Sequence, residues 1–120
     1  MSGRRKILVC DNDANVRRLL AVALDRRGFE VSLATDGVEA MAHMHGQVFD
    51  FVLLDVVMPR MDGLEVLKEM RDDPLLRETP VVIMSVKSGD DDISEACLAG
   101  ADFYLPKPFS VSAIAELIAC

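Results

Sequence analysis

Phe51-Val52-Leu53-Leu54-Asp55-Val56-Val57-Met58-Pro59-Arg60-Met61-Asp62-Gly63 is the stretch on which the fold turns. It is apolar from Phe51 onward and broken only by Asp55. That is the length and β-branched content of a strand inside a parallel sheet covered on both faces. Asp55 stands where the strand ends. Pro59 has no backbone donor and stops any central ladder. Asp62-Gly63 signals a turn, and Leu64, Val66, Leu67 and Met70 follow at helical spacing. One carboxylate is thereby held at the carboxyl end of a central strand, the edge where open α/β sheets bind ligands. Taken alone, Asp55 reads equally well as a strand-end cap bonded to loop amides.

The same alternation repeats on either side. Upstream, Lys6 to Cys10 reads as a strand closed by Asp11-Asn12-Asp13. Val16, Leu19, Leu20, Ala23 and Leu24 then share a helical face, which Gly28 ends. Phe29 to Ala34 alternates as an edge strand does. After the turn Thr35-Asp36-Gly37, Val38, Met41, Ala42 and His45 mark a second helix stopped by Gly46. Downstream, Asp72-Asp73-Pro74 and Thr79-Pro80 bracket a loop, and Val81 to Met84 is a strand with Ser85 at its end. Asp90-Asp91-Asp92 opens a helix with Ile93, Ala96 and Cys97 inward, closed by Gly100. Phe103-Tyr104-Leu105 is a short last strand. Lys107 lies between Pro106 and Pro108, and a final helix from about Ser110 turns Val111, Ile114, Leu117 and Ile118 inward. Five strand-helix repeats predict a parallel sheet with right-handed crossovers and helices on both faces.

Length and composition agree. The chain has 120 residues and is 51% hydrophobic, which suits one domain, residues 1–120, around one core. No apolar run approaches a membrane span. The apolar run after the basic Met1-Ser2-Gly3-Arg4-Arg5-Lys6 is too short for a signal-peptide core. A formal net charge of −7 argues against direct nucleic-acid binding. Cys10, Cys97 and Cys120 form no CxxC pair, so neither a disulfide framework nor a zinc site is expected. Cys10 and Cys97 read as small buried apolar residues, and a cytoplasmic location fits them.

Strands one, three, four and five end, in turn, in Asp11-Asn12, Asp55, Ser85 and Lys107. Isolated caps would not all choose complementary chemistry. Clustered carboxylates and carbonyl oxygens suit a hard divalent cation, most plausibly Mg²⁺, which keeps several waters. A carboxylate can attack phosphorus and form an aspartyl phosphate. The equatorial oxygens of a transferring phosphoryl group then need a cation, an ammonium and a hydroxyl around them.

These motifs resemble the receiver domain of two-component response regulators, over nearly the whole chain from Lys6. The matching stretches are Ile7 to Asp13, Leu54 to Gly63, Val82 to Ser85, and Gly100 to Phe109. The resemblance implies a flavodoxin-like (βα)5 three-layer sandwich with strand order 2-1-3-4-5. It implies Asp55 as phosphoacceptor, with Ser85 and Lys107 assisting. It places the metal ligands at Asp11, Asn12, Asp55 and the Val57 backbone carbonyl, with Mg²⁺ as cofactor. Ser85 and Tyr104 match the switch pair of the helix 4–strand 5–helix 5 face. A sensor histidine kinase or histidine phosphotransfer protein is the implied donor. An output domain or target protein is implied on the switch face, and a phosphorylation-dependent dimer is a further expected partner state. Such a chain accepts and slowly loses its own phosphoryl group and is no dedicated enzyme.

Two residues depart from the family pattern. Asn12 replaces the second acid of the metal pair, and Val86 is bulkier than the small residue common after the hydroxyl. Two other readings therefore stand beside the first. Asn12 favours a pseudo-receiver, an interaction module with a weakened metal site. Asp11-Asn12-Asp13 also fits the Asp-x-Asp motif of haloacid-dehalogenase-like phosphohydrolases, although that leaves Asp55 and Lys107 unexplained. His43 and His45 do not share a helix face and have no third ligand nearby in sequence, so they read as neither a metal site nor a phosphoryl carrier. The methionines read as core and site-lining fillers, and Asp13 as the start of the first helix.

Overall fold

The computed structural model describes residues 4–86 and 89–119. The start of the basic segment, Cys120, and the side chains of Val111 and Ile118 fall outside what it describes. The elements are β1 (Lys6–Cys10), α1 (Ala14–Arg26), β2 (Glu30–Ala34), α2 (Gly37–Gly46), β3 (Phe51–Asp55), α3 (Gly63–Asp72), β4 (Val81–Ser85), α4 (Asp90–Ala99), β5 (Phe103–Pro106) and α5 (Val111–Ala119). The five strands form one parallel sheet in the order β2-β1-β3-β4-β5. This is the flavodoxin-like arrangement expected from the sequence.

Apolar side chains on both faces of the central strands explain the three layers. Every residue of β3 and β4 is buried. Val52 and Leu54 join Ala40, Met41, Met44, Val66, Leu67, Met70 and Ala96, so α2, α3 and α4 cover one face. Phe51 and Leu53 join Leu20, Leu24 and Ile114, so α1 and α5 cover the other. Edge strand β2 does not keep the alternation its sequence predicts: Glu30 and Leu33 are exposed, Val31 and Ser32 are half-buried, and only Ala34 is fully buried.

Helix ends follow local chemistry. Asp13, Asp36 and Asp62 each accept a backbone N–H at the starts of α1, α2 and α3. Asp62 and Glu65 form a reciprocal capping box. Gly100 closes α4 at φ 109, a left-handed conformation that costs glycine little.

Several helix faces differ from the expected ones. In α2 the buried residues are Gly37, Ala40, Met41 and Met44, whereas Val38, Ala42 and His45 face solvent. In α1 Leu20 and Leu24 carry the burial while Leu19 is exposed. Cys97 is exposed rather than inward, because Ala96 is the residue of α4 that meets the core. Leu76, unremarked in the sequence, is buried beneath the α3–β4 connection. Among the described residues no helix is long and apolar enough to cross a membrane.

Candidate functional site

The parallel register brings four strand ends to one edge. Cys10 pairs with Leu54, Asp55 with Met84, and Ser85 with Pro106. Asp11 therefore follows β1 beside the end of β3. Its backbone N–H donates to the Ala34 carbonyl at 3.1 Å, continuing the β1–β2 ladder. Lys107 follows β5, and its N–H donates to the Ser85 carbonyl at 2.7 Å. That bond aims the lysine across the sheet edge. Its Nζ lies 2.7 Å from Asp11 Oδ2 and 3.5 Å from Asp55 Oδ2. The ammonium is thus shared by two carboxylates brought together from distant parts of the chain.

Both carboxylates are largely out of water, at 0% exposure for Asp11 and 8% for Asp55. Asp11 Oδ1 also accepts the Asp13 N–H at 2.8 Å, and the Arg17 guanidinium donates to the Asp11 carbonyl at 2.7 Å. Asp55 accepts the Val57 N–H. Its pKa is nonetheless pushed up to about 6, by burial first and by the Asp11 charge second. Lys107 and the Val57 N–H pull the other way and lose. One ammonium does not neutralise two desolvated carboxylates, so the site is short of positive charge.

Asp11, Asn12, Asp13, Asp55, Val57, Val86 and Lys107 line a cleft of about 420 Å³ at this edge. Its donors are carboxylate and carbonyl oxygens, the hard ligands that Mg²⁺ takes. The residual negative charge and the oxygen-only donor set fit such an ion. Among the described residues no group of three His, Cys, Asp or Glu side chains is arranged to hold a metal. Mg²⁺ usually takes only one or two carboxylates, the rest being water and phosphate oxygens. Asp13 also lines the cleft, while its Oδ1 accepts the Asn15 N–H at 2.8 Å and caps α1.

Ser85 is buried at the end of β4. Beside the cleft it shares a cavity of about 200 Å³ with Val56, Leu64, Ala96 and Tyr104. Tyr104 is half-buried on β5. The hydroxyl and the ring expected to act together therefore border one space. Val86 is exposed at the cleft mouth, where it narrows the approach without filling the space beside Ser85. His43 bonds the Leu33 carbonyl at 3.0 Å, and His45 lies 3.8 Å from Asp73, so neither belongs to the site.

Sequence reasoning missed the groups that hold the β3–α3 loop. The Arg60 guanidinium bonds Asp36 Oδ2 through Nε at 3.0 Å and Nη2 at 2.6 Å. Gly63 lies so close to Asp55 that a Cβ there would strike its carbonyl oxygen. The second feature had a signal in Asp62-Gly63, read only as a turn. The first had none, because no spacing rule links positions 36 and 60.

Known proteins resemble this chain closely. The family described as response regulator receiver domain matches residues 7–119. The response regulator MprA of Mycobacterium sp. (strain KMS) is 41% identical over 114 residues, covering 95% of this chain and 47% of that protein. The transcriptional regulatory protein CpxR of Klebsiella pneumoniae is 41% identical over 105 residues, covering 88% and 44%. The chain thus spans about half the length of these curated relatives. Among solved structures, the chemotaxis protein CheY4 of Vibrio cholerae superposes with a TM-score of 0.92 at 29% identity, covering 98% of each chain. A Francisella response regulator receiver domain gives 0.91 at 29%, covering 97% of this chain and 94% of that one.

Proposed function

The chain belongs to the response regulator receiver family, and from that premise we propose that Asp55 accepts a phosphoryl group from a phosphohistidine. The observation that carries this reading is the Lys107 ammonium held between Asp11 and Asp55 in a cleft short of positive charge. An Asp55 carboxylate oxygen attacks phosphorus in line with the departing imidazole. The new O–P bond forms as the P–N bond breaks, and the imidazole nitrogen leaves with the bonding pair and takes a proton. Lys107 neutralises a phosphoryl oxygen, and Ser85 hydrogen-bonds another. The Val57 N–H, already on Asp55, keeps the carboxylate oriented.

Family members are generally Mg²⁺-dependent. In this chain Asp11, Asp55, the Val57 carbonyl and the Asn12 side-chain oxygen would hold the ion. Bound there, Mg²⁺ supplies positive charge to the phosphoryl oxygens and the crowded carboxylates.

The output is a population shift. An added phosphoryl group brings about −1.5 to −2 charge. Ser85 moves toward it, and Tyr104 turns into the space they share. That biases the α4–β5–α5 face between two states, for an output domain, a target protein or a second copy of the chain. The donor is a sensor histidine kinase or a histidine phosphotransfer protein, in the cytoplasm. The chain loses its phosphoryl group slowly and has no separate substrate, so it is not a dedicated enzyme. The hydrolase reading would need Asp11 as nucleophile and gives no role to Asp55, whose carboxylate shares the Lys107 ammonium with Asp11.

Incubation with acetyl phosphate and Mg²⁺ tests the proposal. Acid-labile phosphate should enter the wild-type protein and be lost in Asp55→Asn with the fold intact. Undiminished labelling of that variant overturns the proposal, and an unlabelled wild type favours the pseudo-receiver.

A further inference from the structure

The loop joining β3 to α3 carries Val57 to the phosphoacceptor and then has to reverse. Gly63 N–H donates to the Val56 carbonyl at 2.9 Å and closes the reversal. Within it, Met61 N–H donates to the Pro59 carbonyl at 2.7 Å, a three-residue turn centred on Arg60. Arg60 is held at φ 65, and it is the only non-glycine residue at positive φ among the described ones. This kind of turn is rare and strained, and a side chain there costs free energy that glycine would not. Something must offset that cost.

Two contacts with the start of α2 do so. The Arg60 guanidinium places both Nε and Nη2 on Asp36 Oδ2, at 3.0 and 2.6 Å. Asp36 is a fixed anchor: it is 6% exposed, and its other oxygen accepts the Glu39 N–H at 2.8 Å as the cap of α2. That N–H first, and Arg60 second, hold its carboxyl below the usual range. Beside it, Gly37 has no Cβ, and one would run into the Met61 carbonyl. Residues 60–61 are therefore pinned on residues 36–37, by charge at one position and by close approach at the next.

The pin reaches the site through a short, stiff link. Met58 is buried, and the ring of Pro59 fixes its φ. Neither absorbs a displacement of Arg60 easily, so one would pass to Val57. Val57 lines the cleft, and its N–H bonds the Asp55 carboxylate. We propose that Arg60, clamped to Asp36 at the start of α2, is a positioning residue that sets Val57 against Asp55. The inference rests on Asp55 being the phosphoacceptor.

Arg60→Gly removes the clamp but tolerates the backbone angle, so folding survives. Asp36→Asn removes the charge but keeps a good helix cap. Two readouts are taken in wild type, both variants and the double variant: hydrogen exchange at the Val57 amide, and the rate of phosphate uptake from acetyl phosphate at subsaturating Mg²⁺. A partly exposed ion pair supports changes of up to about fivefold. We expect two- to fivefold faster exchange and slower uptake in each single variant, and no further change in the double variant. Melting temperatures should stay within a few degrees, which a merely structural clamp would not combine with slower uptake. Wild-type uptake with unaltered variants, or with additive effects in the double variant, overturns the clamp alone. A wild type that takes up no phosphate overturns the phosphoacceptor reading, and with it any role of the clamp in acceptance.

Discussion

At the scale of the residue, Asp55 shows which electrostatic effect wins. Lys107 is near, but burial and Asp11 together push the carboxyl up to about 6. The sign of the consequence follows. The folded state holds this proton more tightly than the unfolded chain does. The penalty is therefore absent below the unfolded value near 3.8, grows as pH rises toward 6, and is complete above it. At neutral pH the ionised Asp55 costs at most about 3 kcal/mol. Asp55→Asn should raise the urea midpoint at pH 7.5 and change it little at pH 4; an equal effect at both would contradict the electrostatic account. Asn12 acts in the opposite sense. It leaves Asp11 and Asp55 as the near charges, with one oxygen of Asp13 bonded to its helix cap. Asn12→Asp should tighten Mg²⁺ binding to the unphosphorylated protein several-fold in a calorimetric titration, about 1 kcal/mol after discount for solvent. Equal or weaker binding would mean that position 12 does not face the metal. Asp11, Asp55, Ser85 and Lys107 were legible because each ends a strand at a recognisable stop. Arg60 and Asp36 were not, because their meeting depends on two loops packing together.

At the scale of the element, strand positions were easier to read than helix faces. A strand buried on both sides needs only an apolar run, as in β3 and β4. A helix face depends on rotation, and tertiary contact set the rotation of α2: Gly37 packs on Met61, which turns Ala40 and Met44 inward and leaves Val38 in water. Cys97 lost its expected place in the same way, one position from Ala96. Two predictions belong here. Arg71 on α3 donates to the carbonyls of Gly100 at 3.0 Å, Arg77 at 3.0 Å and Thr79 at 2.9 Å, and to Asp102 at 3.1 Å. It thus ties α3 to the connections on either side of β4 and α4. Arg71→Ala should destabilise the fold by about 2–3 kcal/mol in urea unfolding. Gly63→Ala would drive a methyl group into the Asp55 carbonyl. Overpacking of this kind costs about 1–3 kcal/mol, and phosphate uptake should fall along with stability.

At the scale of the whole molecule, the order β2-β1-β3-β4-β5 puts the reversal of strand order between β1 and β3, with all strands parallel. Asp11 and Asp55 stand on either side of that crevice, where doubly wound sheets bind their ligands. Alternation of strands and helices made this topology legible. The Arg71 ties and the seating of the β3–α3 loop were not, since they join segments whose separation follows no period. The central claim is that one carboxylate, Asp55, takes the phosphoryl group while Asp11 serves the cation. The direct measurement is mass spectrometric mapping of the protein after acetyl phosphate and Mg²⁺, with borohydride trapping of the acyl phosphate. Reduction confined to Asp55 is the predicted result; reduction at Asp11, or at neither aspartate, would contradict the account.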